Sequence, residues 1–133
     1  MCSSDLDNSL GIITVANYDH ALNNKLNQAF VKAYNADYKR NPDFFSIGGW
    51  DGMHLIYEVL KKTGGKTDGE AMIGAAKGMK WESPRGPMAI DPETRDVIED
   101  VYIRRVERVG GRLLNVDFDR LRAVKDPVKA RMK

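Results

Sequence analysis

Residues 44–62, Phe-Phe-Ser-Ile-Gly-Gly-Trp-Asp-Gly-Met-His-Leu-Ile-Tyr-Glu-Val-Leu-Lys-Lys, constrain the fold more than any other stretch of the chain. A short apolar run, Phe44 to Ile47, passes through Gly48-Gly49 into an amphipathic segment that starts near Trp50 or Asp51. The segment is expected to bury Met53, Ile56, Val59 and Leu60, and Gly64-Gly65 follows it, where a left-handed cap is cheap for glycine. The pattern predicts a strand, a tight turn and a helix. That is the unit of an α/β sheet, whose ligand crevices lie at the carboxyl ends of its strands.

Similar units flank it. Gly11 to Ala16 is a short β-branched run that reads as a buried strand, and Asn17-Tyr18-Asp19-His20 is a polar break able to cap a helix. Leu22, Leu26, Ala29, Phe30, Ala33 and Tyr34 recur at spacings of three and four, the apolar stripe of a helix that ends near Tyr38, before Asn41-Pro42. Thr67-Asp68-Gly69-Glu70 matches a capping box for a third helix, Ala71 to about Lys77. Two apolar strands interleaved with such helices imply parallel pairing through right-handed crossovers.

The pattern changes after Trp81. Ser83-Pro84-Arg85-Gly86-Pro87 reads as a rigid turn, Met88-Ala89-Ile90 as a short strand, and Asp91 to Asp96 as another turn. Val97 to Val109 is a long strand, joined by Gly110-Gly111 to Arg112–Phe118 as a hairpin. The expected organisation is a tail over 1–10, an α/β part over 11–82, a turn-rich stretch and hairpin over 83–118, and a basic tail over 119–133. Cys2 to Leu6 can be encoded by the end of a common sequencing adapter, so residues 1–6 are read as non-native and kept out of the fold.

Charge and chemistry narrow the function classes. A net charge of +2, with basic residues gathered late and aromatics not regularly interleaved with them, argues against nucleic acid. The single cysteine, Cys2, excludes an intrachain disulfide. Gly48-Gly49-x-x-Gly52 departs from the dinucleotide spacing, and no acid closes a following strand. His20 and His54, the only histidines, have Asp19 and Asp51 nearby but too few further ligands for a metal, and Ser46 and Ser83 have no local base. No cofactor is implied. What remains is a binding module whose crevice candidates are Tyr18, Phe44, Phe45, Trp50 and Trp81. The residue nearest the end of the run or in the glycine turn is placed to touch a ligand.

The ordered set Ala16-Asn17-Tyr18-Asp19, Ala29-Phe30-Val31-Lys32-Ala33-Tyr34, Asn41-Pro42-Asp43-Phe44-Phe45, Trp50-Asp51-Gly52-Met53, Pro84-Arg85-Gly86-Pro87 and Ile90-Asp91-Pro92 resembles one family. It resembles the carboxy-terminal part of the type I periplasmic solute-binding proteins of ABC transporters, in the branched-chain amino acid-binding group. The resemblance implies a fragment of a two-lobed periplasmic clamp that closes on an amino acid-like solute and hands it to a membrane permease, with no covalent chemistry. It also implies three segments crossing between the lobes, one near Asn17–His20 and another near or after Pro84–Asp91. Phe45 falls where the family places an aromatic ligand contact, with Ser46, Trp50 and Tyr18 as neighbouring candidates. The alternatives are a ligand-sensing receptor or regulator domain of the same fold, or a small α/β enzyme.

Overall fold

The computed structural model describes residues 8–131. The elements follow in the order β1 (Ile13–Ala16), α1 (Lys25–Tyr38), α2 (Phe44–Thr63), α3 (Gly69–Ala76), β2 (Lys80–Ser83), β3 (Gly86–Ile90), β4 (Val97–Val109) and β5 (Arg112–Val124), with a 3-10 turn at Lys129–Arg131. The fold is mixed α/β and ends in the expected hairpin. Residues 1–7, including Cys2 and the adapter-like stretch, lie outside the described residues.

The run Phe44–Ile47 is not a strand. It is the first turn of α2, which continues through Gly48-Gly49 without a break. Asp43 caps the helix: its carboxylate accepts the Ser46 N–H, and Ser46 Oγ returns to the Asp43 N–H, a reciprocal capping box. Ile47 is fully buried, and Asp51 and Val59 lie on the same side of the helix. Gly64 stops it at φ 64°, with its N–H bonded to the Leu60 carbonyl. The other helix starts also move. Asn24 caps α1 through the Asn27 N–H, and Asp68, in place of Thr67, caps α3 through the Ala71 N–H.

Parallel pairing is likewise replaced. Every strand pair among the described residues is antiparallel. With Phe44–Ile47 helical, β1 is the only described strand before the helices, so no crossover returns to a parallel neighbour. The sheet order is β1-β4-β3-β2, and β5 also pairs with β4. Since β4 meets β5 along most of its length, β3 (at Val97–Glu99) and β1 (at Tyr102–Arg105) share its other edge end to end. Strand β2, Lys80–Ser83, was not foreseen. Strand β5 runs on to Val124, beyond the expected start of a tail at 119.

The core is small. Tyr18, Leu22, Ile47 and Tyr102 form its buried cluster, with Phe30 and Trp50 packed against it. Val59, Met79, Met88 and Ile90 are also buried, whereas Met53 and Ile56, expected to be buried with Val59, are exposed on α2.

Candidate functional site

Three of the four residues singled out gather round Phe30. Its ring meets Tyr18 edge-on at 6.5 Å, Trp50 edge-on at 6.4 Å and Tyr34 at 5.9 Å. Ser46 joins this group through its hydroxyl, 2.9 Å from the Tyr34 hydroxyl. Tyr18 is 2% exposed and donates its hydroxyl proton to Asn27 Oδ1 at 3.0 Å. Burial, with the Asp19 carboxylate beside it, pushes that hydroxyl's pKa above the usual phenol range, so it stays a donor. Asn27 in turn donates to the carbonyls of His20 and Leu22, which fixes the loop between β1 and α1.

Phe45 is set apart from them. It projects from the first turn of α2 and is 89% exposed. A large ring in that position contributes nothing to this chain's core, and its face is free for contact with something else. Phe44 beside it is half exposed.

The row of rings continues along α2. Trp50 stacks on His54 with centroids 5.1 Å apart, and His54 tilts toward Trp81 at 6.1 Å. His54 therefore packs between two indoles, and His20 sits 3.4 Å from Asp19. Among the described residues no three His, Cys, Asp or Glu side chains converge in a way that would hold a metal.

Below the rings lies a charged cluster that sequence reasoning missed. The Arg85 guanidinium reaches Asp51 of α2 at 2.8 Å and Glu99 of β4 at 3.1 Å. Trp81 donates its indole N–H to Asp51 at 3.2 Å, and Asn17 donates to Glu99 at 2.6 Å. The Tyr102 hydroxyl donates to the Arg85 carbonyl at 2.6 Å. Gly86 is required next to it: its φ is 113°, and a Cβ there would stand 2.8 Å from the Tyr102 hydroxyl. A second buried pair joins Arg104 to Asp19 at 3.0 Å and to the Tyr18 carbonyl at 3.1 Å.

A cavity of about 270 Å³ lies between α2 and the sheet, bounded by Gly48, Gly52, Leu55, Trp81, Arg85 and Glu99 among others. Its one arginine faces two carboxylates, so the pocket carries no surplus positive charge for an anion.

Comparison with known proteins bears on what this arrangement belongs to. The family described as "Periplasmic binding protein" matches residues 3–112. The Leu/Ile/Val-binding protein homolog 6 of Brucella abortus is 40% identical over 105 residues, or 77% of this chain and 27% of the relative. A solute binding protein of an ABC transporter from Rhodopseudomonas palustris BisB5, solved with 3,4-dihydroxy benzoic acid, is 53% identical at a TM-score of 0.89. That match covers 92% of this chain and 34% of the solved one. A second, from Rhodopseudomonas palustris HaA2 with p-hydroxybenzoic acid, is 37% identical at a TM-score of 0.84, with coverage of 92% and 34%. The chain thus spans about a third of the length of the proteins it matches.

Proposed function

This chain belongs to the periplasmic binding protein family, and from that premise we propose that it is part of a solute-binding component of an ABC-type uptake system. The intact protein grips a small carboxylate-bearing solute non-covalently between two lobes in the periplasm and presents it to a membrane permease. It performs no covalent chemistry.

For the solute, an aromatic acid is the better-supported reading. The observation that carries it is the 53% identity to a protein solved with 3,4-dihydroxy benzoic acid. The exposed Phe45 ring agrees with it, because an aromatic acid can stack on or edge against such a ring while its carboxylate bonds elsewhere. An amino acid is the second reading, favoured by the Leu/Ile/Val-binding name of the Brucella relative. In either case Phe45 forms the apolar wall. Ser46 holds the first turn of α2 in shape, while Tyr18 and Trp50 pack against Phe30.

Calorimetry on the full-length protein with 3,4-dihydroxybenzoate and with leucine tests both readings. Saturable binding of the aromatic acid, weakened by about 1–3 kcal/mol in Phe45→Ala, is the expected result. Binding of leucine alone would overturn the aromatic reading. Unchanged affinity in Phe45→Ala would remove that ring from the site.

A further inference from the structure

Residues 91–96, Asp-Pro-Glu-Thr-Arg-Asp, join β3 to β4 and carry three acids against one arginine. Residues 125–131, Lys-Asp-Pro-Val-Lys-Ala-Arg, follow β5 and carry three bases against one acid. The end of the β4–β5 ladder joins Glu99 to Val124, close to the start of β4 at Val97. The chain therefore leaves the sheet beside the acidic turn. The segment expected to be a basic tail is shaped and paired there.

The turn is built round Asp91. Its Oδ1 accepts the N–H groups of Glu93 and Thr94 at 2.9 and 3.3 Å, its own N–H donates to the Asp96 carbonyl, and its carbonyl accepts the Arg95 N–H. Arg95 takes a φ of 65°, a left-handed conformation that is costly for a residue with a Cβ. Two lysines hold the turn at its two ends. Lys125 Nζ lies 2.9 Å from Asp91 Oδ2, and Lys129 Nζ lies 2.7 Å from Asp96 Oδ1. Asp126 shapes the segment between the lysines, since its Oδ1 accepts the N–H groups of Val128 and Lys129 at 2.8 and 3.2 Å. The Lys129 hydrogen bond is the chief cause that holds the Asp96 carboxyl below its usual range.

Both lysine side chains remain open to water, Lys125 at 59% and Lys129 at 50%. Exposed pairs of this kind are individually weak and are screened by salt. Val128, the branched apolar residue of the segment, is itself exposed and supplies no anchor. We propose that residues 125–131 are an ionic strap, docked on the β3–β4 turn at low ionic strength and lifted from it as salt rises. Docked, the strap ties the exit of β5 to the end of β3, which meets β4 over the short register Met88–Glu99, Ala89–Ile98 and Ile90–Val97. Lifted, it leaves the turn to the bonds that Asp91 makes within it. The order of this corner of the sheet is thereby set by the salt around it.

Amide hydrogen exchange on the whole chain, read residue by residue at about 0.02 M and about 1 M sodium chloride, tests the strap. The amides of Glu93, Thr94, Val128 and Lys129 are expected to exchange about threefold faster at high salt, while those of α2 around Val59 stay unchanged. Lys125→Gln combined with Lys129→Gln should show the faster rates already at low salt and lose the salt response. Lys125→Arg combined with Lys129→Arg keeps both charges and should behave as the unaltered chain. No salt response in the unaltered chain, an equal response in α2, or a response that survives the glutamine pair would overturn the proposal. Fast exchange at low salt in the arginine pair would overturn it as well, because charge would then not be what docks the segment.

Discussion

The cluster where the loop after β1 meets α2 differs from strands β1 and β5 in how far it buries its apolar side chains, although the helices too leave Phe45, Tyr38, Tyr57 and Met53 exposed. In and around the cluster Ile47, Tyr18 and Leu22 are buried, polar loop atoms find partners on Asn27, and Arg85 ties α2 to the sheet. In the strands, Ile13 and Val15 of β1, Val109 of β4 and Phe118 and Leu121 of β5 are all exposed, Val15 at 61%. Strand β1 is short and β-branched, pairs with β4 on one edge, and has its apolar residues open to solvent. A strand with that composition is normally covered on both faces. Apolar strand surface of that kind is suited to packing against another surface, and this chain covers 34% of a related solved protein.

The largest effect expected from this contrast lies in the buried cluster. Ile47 has no solvent exposure and touches the cluster of Tyr18, Leu22 and Tyr102. Ile47→Ala should cost about 3 kcal/mol, the transfer of the lost methyl groups plus a cavity that helix and loop cannot close. Urea unfolding of the isolated chain measures it. A loss below about 1 kcal/mol would mean that this cluster is no better packed than the strands.

Val15 should behave in the opposite way. In this chain Val15→Ala removes methyl groups already in water, and a change within about 0.5 kcal/mol is expected. In the full-length protein the same substitution should cost about 1–2 kcal/mol, because the side chain is then covered. Equal costs in the two settings would break the comparison, since β1 would then be as exposed in the whole protein as it is here.

How much of this was legible in the sequence depends on which physical signal each element carries. The hairpin was plain because β4 alternates over many residues and Gly110-Gly111 marks its turn, and β4 was bounded at Val97–Val109 as observed. The last part of β5 was not, because it pairs only with β4 and stays largely exposed, so no burial pattern reveals it. Phe44–Ile47 was misassigned for a different reason. A four-residue apolar run fits a buried strand or a helix turn equally, and only the cap decides between them. Asp43 followed by Ser46 was that signal, but the glycines after it suggested a turn. They are tolerated inside α2, where a Cβ at Gly48 or Gly49 would meet nothing within 4 Å. The Arg85 cluster could not be read at all. Asp51, Arg85 and Glu99 are far apart in sequence and look like ordinary surface charges until the fold brings them together.

The smallest effect concerns that same cap. The Asp43 carboxyl is held below its ordinary pKa, chiefly by the Ser46 hydroxyl and then by the Ser46 N–H, both of which favour the charged form. A lowered carboxylate stabilises the fold fully above its unfolded value and loses that contribution as the pH falls through the folded one. The first turn of α2 should therefore fray in acid below the usual aspartate range while the rest of the helix persists. The Ser46 amide resonance, followed through an acid titration, reports that step directly. Asp43→Asn keeps an accepting oxygen at the cap and removes the charge, so the Ser46 amide should lose its acid transition without losing the cap at neutral pH. If instead the transition remained in Asp43→Asn, another acid would control the turn that carries Phe45, and the order of the buried cluster would not extend to the proposed ligand-facing end of α2.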